Sequence, residues 1–519
     1  MSRRKLIEKA EAVLSKEKGT IFKDPGGKIN ICLVYPNTYR VGMSNLGFQG
    51  VYGLLNGYPD AVCERAFLPD AEDFRQYEDG TELFALESKR PLNRFDIVAF
   101  SVPFENDYPN VLKILDLAKI EPRASKRNGG PLLTLGGVCA FANPEPLASF
   151  FDVVFVGEAE PLVPEFLDRV RNAPAGRHEL LKSLLNIEGL YIPAFYEVSN
   201  SRRVALEGAP ERIKRRFAGG AVPLGMRHSI ITPDTEFAGM RLVEMMRGCP
   251  WDCAFCLAGK VYNPPRARKT EDILKEVDEA LSKGERVGLI GPSISDFPGV
   301  VTILDKKDVE FSITSLRAGK KSIGLLPYLK KHKTLSIAAE AGTERLRKVI
   351  NKKISEEEII ETGRAVLSNG MGLRIYFMVG LPTETDEDMQ GIPALVKKIK
   401  EGFSGGRISV TVSLFVPKPF TFFERSPMER PGSVKEKLKF LKKSLSATGV
   451  AIFHDVLKYS YMQGVFAMGG RELAAVLELM GKGMDYKAAM KEAGLPEDNY
   501  VFKEKGPDEI LPWGFIDAG

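Results

Sequence analysis

Histidine and tryptophan are scarce in this chain, with four and two residues in a length of 519. So few imidazoles leave little material for a histidine-based metal site or a histidine acid–base relay. Cysteine is scarce too. Six residues are too few for a disulfide scaffold, and three of them crowd into one short segment, which points to a reducing compartment and a metal site. No apolar run reaches the roughly 18 residues of a membrane-spanning helix. The opening stretch MSRRKLIEKAEAVL lacks the uncharged apolar core of a signal peptide, so a cytoplasmic location is expected. Neither charge sign dominates: Lys+Arg 73 against Asp+Glu 68 gives +5, too little to imply a nucleic-acid or other polyanionic partner. What remains is the makeup of a folded protein of several domains, 44% hydrophobic and 27% charged, with a mean hydropathy of −0.13.

Residues 1–170 alternate short apolar runs with helix-like stretches. Segments 29–35 (INICLVY), 95–102 (FDIVAFSV), 131–137 (PLLTLGG) and 151–157 (FDVVFVG) read as buried strands. Amphipathic stretches at 46–55, 110–117 and 161–170 follow them. Continuous apolar strands, each followed by a helix, predict a doubly wound parallel sheet, whose ligands sit beyond the carboxyl ends of the strands. Those ends, 36–47, 101–108, 136–144 and 157–160, are rich in Gly, Asn and small polar residues. Residues 171–239 read as an irregular connector with a hairpin and the basic patch 212–216. From about residue 240 the strand–helix rhythm returns, with candidate strands at 242–246, 286–290, 310–315, 335–339, 373–379 and 408–415. Helices are expected between them at 271–283, 355–368 and 386–400. Six such units predict a partial (β/α)6 barrel over 240–430, with chemistry at the strands' carboxyl ends. Residues 431–519 read as a small helical region.

The segment 247–256, RGCPWDCAFC, carries Cys249, Cys253 and Cys256 in the spacing C-x3-C-x2-C. Zinc takes four ligands as a rule, and no histidine stands nearby to complete such a set. Three thiolates on one loop fit an iron–sulfur cluster with one iron open to a non-protein ligand. This motif, with Phe255 before the last cysteine, resembles the signature of radical S-adenosylmethionine (SAM) enzymes. The resemblance implies that these cysteines hold a [4Fe-4S] cluster whose open iron is chelated by SAM, and that reductive cleavage then yields a 5′-deoxyadenosyl radical. It also implies an electron donor such as flavodoxin or ferredoxin. Further segments are similar to the family in order: 335–345 (LSIAAEAGTER), where Glu340 matches an acidic residue holding the methionyl amine or ribose; 377–385 (FMVGLPTET), where Met378 and Gly380 match the adenine backing; and 408–420. Arg317, after the third barrel strand, is a candidate for the methionyl carboxylate. Arg266 and Arg268 follow the cysteine loop and are weighed for the same task against ordinary surface roles.

The strand-end sequences of 29–160 resemble the cobalamin-binding domain that precedes the barrel in many of these enzymes. Ser101, Gly136, Gly137, Gly157 and Glu158 are the matching positions. Residues 1–165 contain no histidine, so the D-x-H-x-x-G loop that ligates cobalt elsewhere is missing. The lower face of cobalt is then left to water or to a residue such as Tyr39 or Arg40. A domain of the same fold holding no cofactor is the competing reading. Cys32 lies inside a strand and reads as a core residue; Cys63 and Cys139 are further apart in sequence, and the context around Cys32 differs from that of the second, methylthiotransferase-type cluster.

Methylation of an unactivated carbon on an unknown substrate is the reaction this resemblance implies. A radical enzyme doing ring formation, oxidation or methylthiolation, and a non-catalytic redox or cobalamin sensor, are the alternatives. The run KEKLKFLKK (435–443) reads as a solvated helix packed through its apolar stripe. Tyr376 is weighed as a hydrogen-atom donor against a packing role. Trp513, in the ending LPWGFID, reads as a packing anchor, with that ending expected over the barrel mouth.

Overall fold

The computed structural model describes residues 2–77, 80–199, 202–219, 225–306, 316–330, 332–403 and 407–518. They form two compact units. The first comprises Met1–Leu242, Phe466–Pro496 and Asp508–Gly519, the second Val243–Val465 and Glu497–Pro507. The carboxyl-terminal region is largely helical, as expected, and its segments divide between the two units.

The first unit is built on strands β1 (Ile29–Tyr35), β2 (Ala61–Phe67), β3 (Ile97–Ser101), β4 (Leu132–Gly136), β5 (Val153–Phe155) and β6 (Leu190–Tyr191), in the order β2-β1-β3-β4-β5-β6. The first five are parallel, and β6 closes the edge antiparallel to β5. This is a flavodoxin-like order, with a switch point between β1 and β3. The sheet agrees with the sequence expectation at β1, β3, β4 and β5. Strand β2 was missed because Glu64 and Arg65 interrupt its apolar run; both are buried on ion-pair or hydrogen-bond partners.

The connector is more ordered than its composition implies. It holds the helix Arg177–Leu184, the antiparallel pair β7 (Tyr196–Ser199) and β8 (Arg202–Ala205), and β9 (Ile213–Lys214). The terminal strand β18 (Ile516–Asp517) pairs with β9, so the LPWGFID ending joins the first unit through the connector, with Trp513 buried.

The second unit begins with β10 (Met240–Glu244), the short pair β11 (Met246–Arg247) and β12 (Arg266–Ala267), and β13 (Arg286–Ile290), which lies beside β10. Then come β14 (Thr334–Glu340), β15 (Gly372–Val379), β16 (Ile408–Leu414) and β17 (Ala451–His454), a four-stranded parallel sheet. The candidate strand 310–315 lies outside the described residues; directly after that stretch, Leu316 bridges to Ile337 in parallel. Strand β17 lies within the stretch expected to be helical. It is four residues long, AIFH, and mostly exposed, so its brief apolar run is not matched by burial and gives no alternation.

Helices Glu356–Ser368 and Asp386–Lys400 both open with capping boxes, Ser355 with Glu358 and Thr385 with Asp388, which satisfy orphan backbone donors at the first turn. On β15 and β16 every second residue is buried. The other face, carrying Tyr376 and Met378 of β15 and Thr411 and Ser413 of β16, is half-exposed and paired across the strands. Helix Pro431–Ser446 buries Val434, Leu438, Leu441 and Leu445 and leaves Lys435, Lys439, Lys442 and Lys443 outside, while half-buried Lys437 pairs with Glu384 and Glu429. Among the described residues, no helix is long and apolar enough to cross a membrane.

Candidate active site

The three cysteines sit on a loop whose base is pinched shut. Antiparallel pairing of Met246 with Ala267 and of Arg247 with Arg266 brings the two ends of the loop together. Gly248 has φ +75, and a Cβ there would stand 2.2 Å from the Tyr262 carbonyl oxygen, so only glycine fits ahead of Cys249. The Cys256 amide donates to the Cys253 carbonyl at 3.1 Å, and the Ala254 amide donates to Ile350 O at 2.9 Å. Asn351 Nδ2 donates to Asp252 O at 2.6 Å, tying the loop again to the segment beyond β14.

Cys253 is buried, while Cys249 and Cys256 are half-exposed. Burial pushes the Cys253 thiol above its ordinary value, and the Lys352 and Arg317 charges pull it the other way. Burial likewise raises Cys249, opposed by an amide hydrogen bond from Trp251 and by the same two cations. Three cysteines on one loop, two of them influenced by the Lys352 and Arg317 cations, fit an anionic thiolate-bound cluster.

Glu340 ends β14 on the half-exposed face, at a register shift and with φ +63. Its carboxylate accepts from Lys352 Nζ at 2.9 Å, with both side chains largely buried. A non-glycine residue held in this backbone region costs about 1–3 kcal/mol and tends to occur where function demands it. Phe255, Met378 and Phe423 form a partly buried apolar shelf packed on Ala341, Leu346, Ile350, Leu381 and Phe415. Gly380 turns the chain after β15 with φ +76.

Arg317 stacks its guanidinium 3.5 Å from the Trp251 ring centroid and donates through Nη2 to the carbonyls of Lys352 and Lys353, each at 2.6 Å. Arg266 and Arg268 are turned to structural partners: Arg266 donates to Pro264 O and Tyr262 O, and Arg268 pairs with Glu276. Lys352, Trp251 and Phe423 were not foreseen. The only signal available was a tryptophan, one of two in the chain, inside the cysteine motif.

In the first unit, Ser101 and Gly136 lie side by side at the carboxyl edge of β3 and β4, half-exposed, with Gly137 directly beyond at φ +95. A Cβ on Gly137 would stand 2.7 Å from the Val102 carbonyl oxygen, so the chain needs glycine there to pass close to the end of β3. Gly157 and Glu158 do not face open space. A Cβ on Gly157 would stand 2.1 Å from the Arg216 carbonyl oxygen, and buried Glu158 accepts from the Ala218 amide at 2.7 Å. Tyr39 donates its hydroxyl to Glu17 at 2.7 Å, and Arg40 pairs with Glu236 at 2.8 Å. At the switch point, Asp107 accepts from Asn37 at 2.8 Å and from Asn110 at 3.4 Å, and burial raises its pKa to about 6. Cys32, Cys63 and Cys139 are buried in this unit, and burial holds the Cys32 and Cys63 thiols well above their ordinary range.

Residues 243–396 match the family model of the radical SAM superfamily, and residues 47–193 match that of the N-terminal region of radical SAM proteins. An uncharacterised protein of Methanocaldococcus jannaschii is 31% identical over 489 residues, 92% of this chain and 97% of that protein. A tRNA-2-methylthio-N(6)-dimethylallyladenosine synthase of Opitutus terrae is 28% identical over 174 residues, 28% of this chain and 36% of that protein. Among solved structures, the radical S-adenosylmethionine methyltransferase TsrM from Kitasatospora setae, with cobalamin and a [4Fe-4S] cluster bound, matches with a TM-score of 0.51. Its identity is 11%, over 74% of this chain and 75% of that one, a likeness of fold. The matched regions and the clamped three-cysteine loop together define an enzyme class that works with a [4Fe-4S] cluster and SAM. The chain belongs to the radical SAM superfamily.

Proposed function

We propose that this protein is a cobalamin-dependent radical SAM methyltransferase acting on an unactivated carbon of its substrate. The observation that carries the reading is the closed cysteine loop with Glu340, Lys352 and Arg317 around it, at the carboxyl ends of parallel strands. When bound, the cluster supplies the electron that opens the sulfonium carbon–sulfur bond, and cobalamin supplies a methyl carrier. The chain's own part is placement. Cys249, Cys253 and Cys256 hold three irons and leave the fourth for SAM. Glu340 accepts from the methionyl ammonium or a ribose hydroxyl, a charge-assisted bond, while Arg317 is the candidate for the carboxylate. Phe255, Met378 and Gly380 back the adenine. Ser101, Gly136 and Gly137 offer the strand edge for cobalamin, and the TsrM fold likeness supports that assignment. The electron comes from a small donor of the flavodoxin or ferredoxin kind, in the cytoplasm.

A second reading, radical chemistry without methyl transfer, draws on two observations: Gly157 and Glu158 are covered by the 216–218 segment, and Tyr39 and Arg40 are engaged elsewhere. Anaerobic reconstitution with iron and sulfide, cobalt analysis and product detection separate the two. S-adenosylhomocysteine formed beside 5′-deoxyadenosine, with about one cobalt per chain, supports methyl transfer; 5′-deoxyadenosine alone, without cobalt, overturns it. Cys253→Ala should abolish 5′-deoxyadenosine formation, and unchanged formation would refute the cluster assignment.

A further inference from the structure

Trp251 occupies the three-residue gap between Cys249 and Cys253, and its side chain is held on two sides. Its indole Nε1 donates to Asp296 Oδ2 at 2.7 Å. Asp296 is itself fixed on the loop after β13, accepting from Ser293 Oγ at 2.7 Å and from Lys321 Nζ at 3.0 Å. Ser293 and Lys321 pull the Asp296 carboxyl below its ordinary range, as does the indole itself, against an opposing push from partial burial. The indole face carries the guanidinium of Arg317 at 3.5 Å. Arg317 in turn is anchored by the carbonyls of Lys352 and Lys353, beside the Asn351 and Ile350 groups that hold the loop's backbone. One side chain thus ties the cysteine loop to the end of β13, to the segment opening at Leu316 and to the segment after β14.

We infer that Trp251 is a positioning residue: it holds the cysteine loop in its cluster-binding shape before iron arrives, and it keeps the Arg317 cation beside the sulfurs. The three cysteines then converge without the cluster having to order the loop, which removes an entropic cost from assembly. The inference rests on the assignment of Cys249, Cys253 and Cys256 to the cluster.

Two substitutions separate the halves of the brace. Trp251→Phe keeps an aromatic face for Arg317 and loses the donor to Asp296; Trp251→Ala loses both. The first readout needs no metal: the rate of iodoacetamide alkylation at Cys249 in iron-free protein, followed by mass spectrometry. It should rise roughly thirtyfold or more in Trp251→Ala and less in Trp251→Phe, the factor expected for losing a hydrogen bond to a charged group together with a stacked cation. Iron incorporation should slow in the same order. The electron paramagnetic resonance signal of the reduced cluster should shift in Trp251→Ala and stay as in the wild type in Trp251→Phe. Because Asp296→Ala removes the same bond as Trp251→Phe, the double variant should alkylate no faster than Asp296→Ala alone.

Wild-type alkylation and loading rates in Trp251→Ala, or additive effects in the double variant, would overturn the brace. If Trp251→Ala does not fold, the comparison of Trp251→Phe with Asp296→Ala still decides. Should the wild-type protein take up no iron, the cluster assignment fails, while the alkylation rates still judge the brace.

Discussion

Arg65 of β2 has no solvent exposure and lies between two carboxylates, so removing it perturbs the first unit in a way whose size is calculable. Its Nε donates to Glu87 Oε1 at 2.7 Å, its Nη2 to Glu17 Oε2 at 2.7 Å and its Nη1 to Glu17 Oε1 at 2.8 Å. Glu17 also accepts from the Tyr39 hydroxyl, so the loop after β1 hangs on the same charge. Arg65→Met replaces the guanidinium by an apolar chain and leaves Glu17 and Glu87 buried without a cation. Breaking a buried ion pair from one side costs about 3–5 kcal/mol, a large part of a domain's total stability.

The pH dependence carries a second signature. Burial works to raise the Glu17 carboxyl, but Arg65 overcomes it and holds the group below its ordinary value, so its contribution is present above the unfolded value and lost as pH falls through the folded one. Burial already raises the Glu87 carboxyl with Arg65 in place; without Arg65 it lifts both folded values, so protonation relieves the variant. The deficit should therefore shrink as pH falls from 7.5 to 5. Urea unfolding read by the fluorescence of Trp513, buried in the same unit, reports this in a Trp251→Phe background. The triple variant Arg65→Met, Glu17→Gln, Glu87→Gln should recover to within about 2 kcal/mol of wild type, since neutral groups carry no such desolvation cost. A single-variant loss under about 1 kcal/mol, or a triple variant as unstable as the single, would show that the charges are not what holds this corner.

Asp107→Asn should stabilise the first unit by roughly 2 kcal/mol at pH 7.5 and by little at pH 4, because a folded pKa of about 6, above the unfolded value, makes the carboxylate a liability at neutral pH that protonation removes. Thermal unfolding at the two pH values checks it, and equal shifts at both would contradict the reasoning. Glu340→Gln should weaken SAM binding about tenfold by calorimetry while leaving iron content unchanged, the loss expected for one charge-assisted hydrogen bond. Unaltered affinity would return Glu340 to the role of partner for Lys352 alone.

The sequence by itself determined the parts that depend on near neighbours along the chain. The buried strands of both units, the capped helices at 355–368 and 386–400, and the cysteine spacing follow from apolar runs, turn residues and covalent distance. Only the tertiary structure decided the rest, because its partners are remote. Arg65 hides in β2 by finding Glu17, 48 residues away, and a charged pair in a strand otherwise reads as a surface. Arg317 is fixed through Nη2 by the Lys352 and Lys353 carbonyls, 35 and 36 residues on, which nothing in the sequence around it announces. Gly157 and Glu158 looked like an open strand end, but the connector returns over them through Arg216 and Ala218. Terminal strand β18 pairs with β9 about 300 residues earlier, and β17 adds an exposed edge whose four residues, AIFH, are too few to mark a strand. Periodicity reports which way a side chain faces; what it meets there is settled by chain closure, which no local pattern encodes.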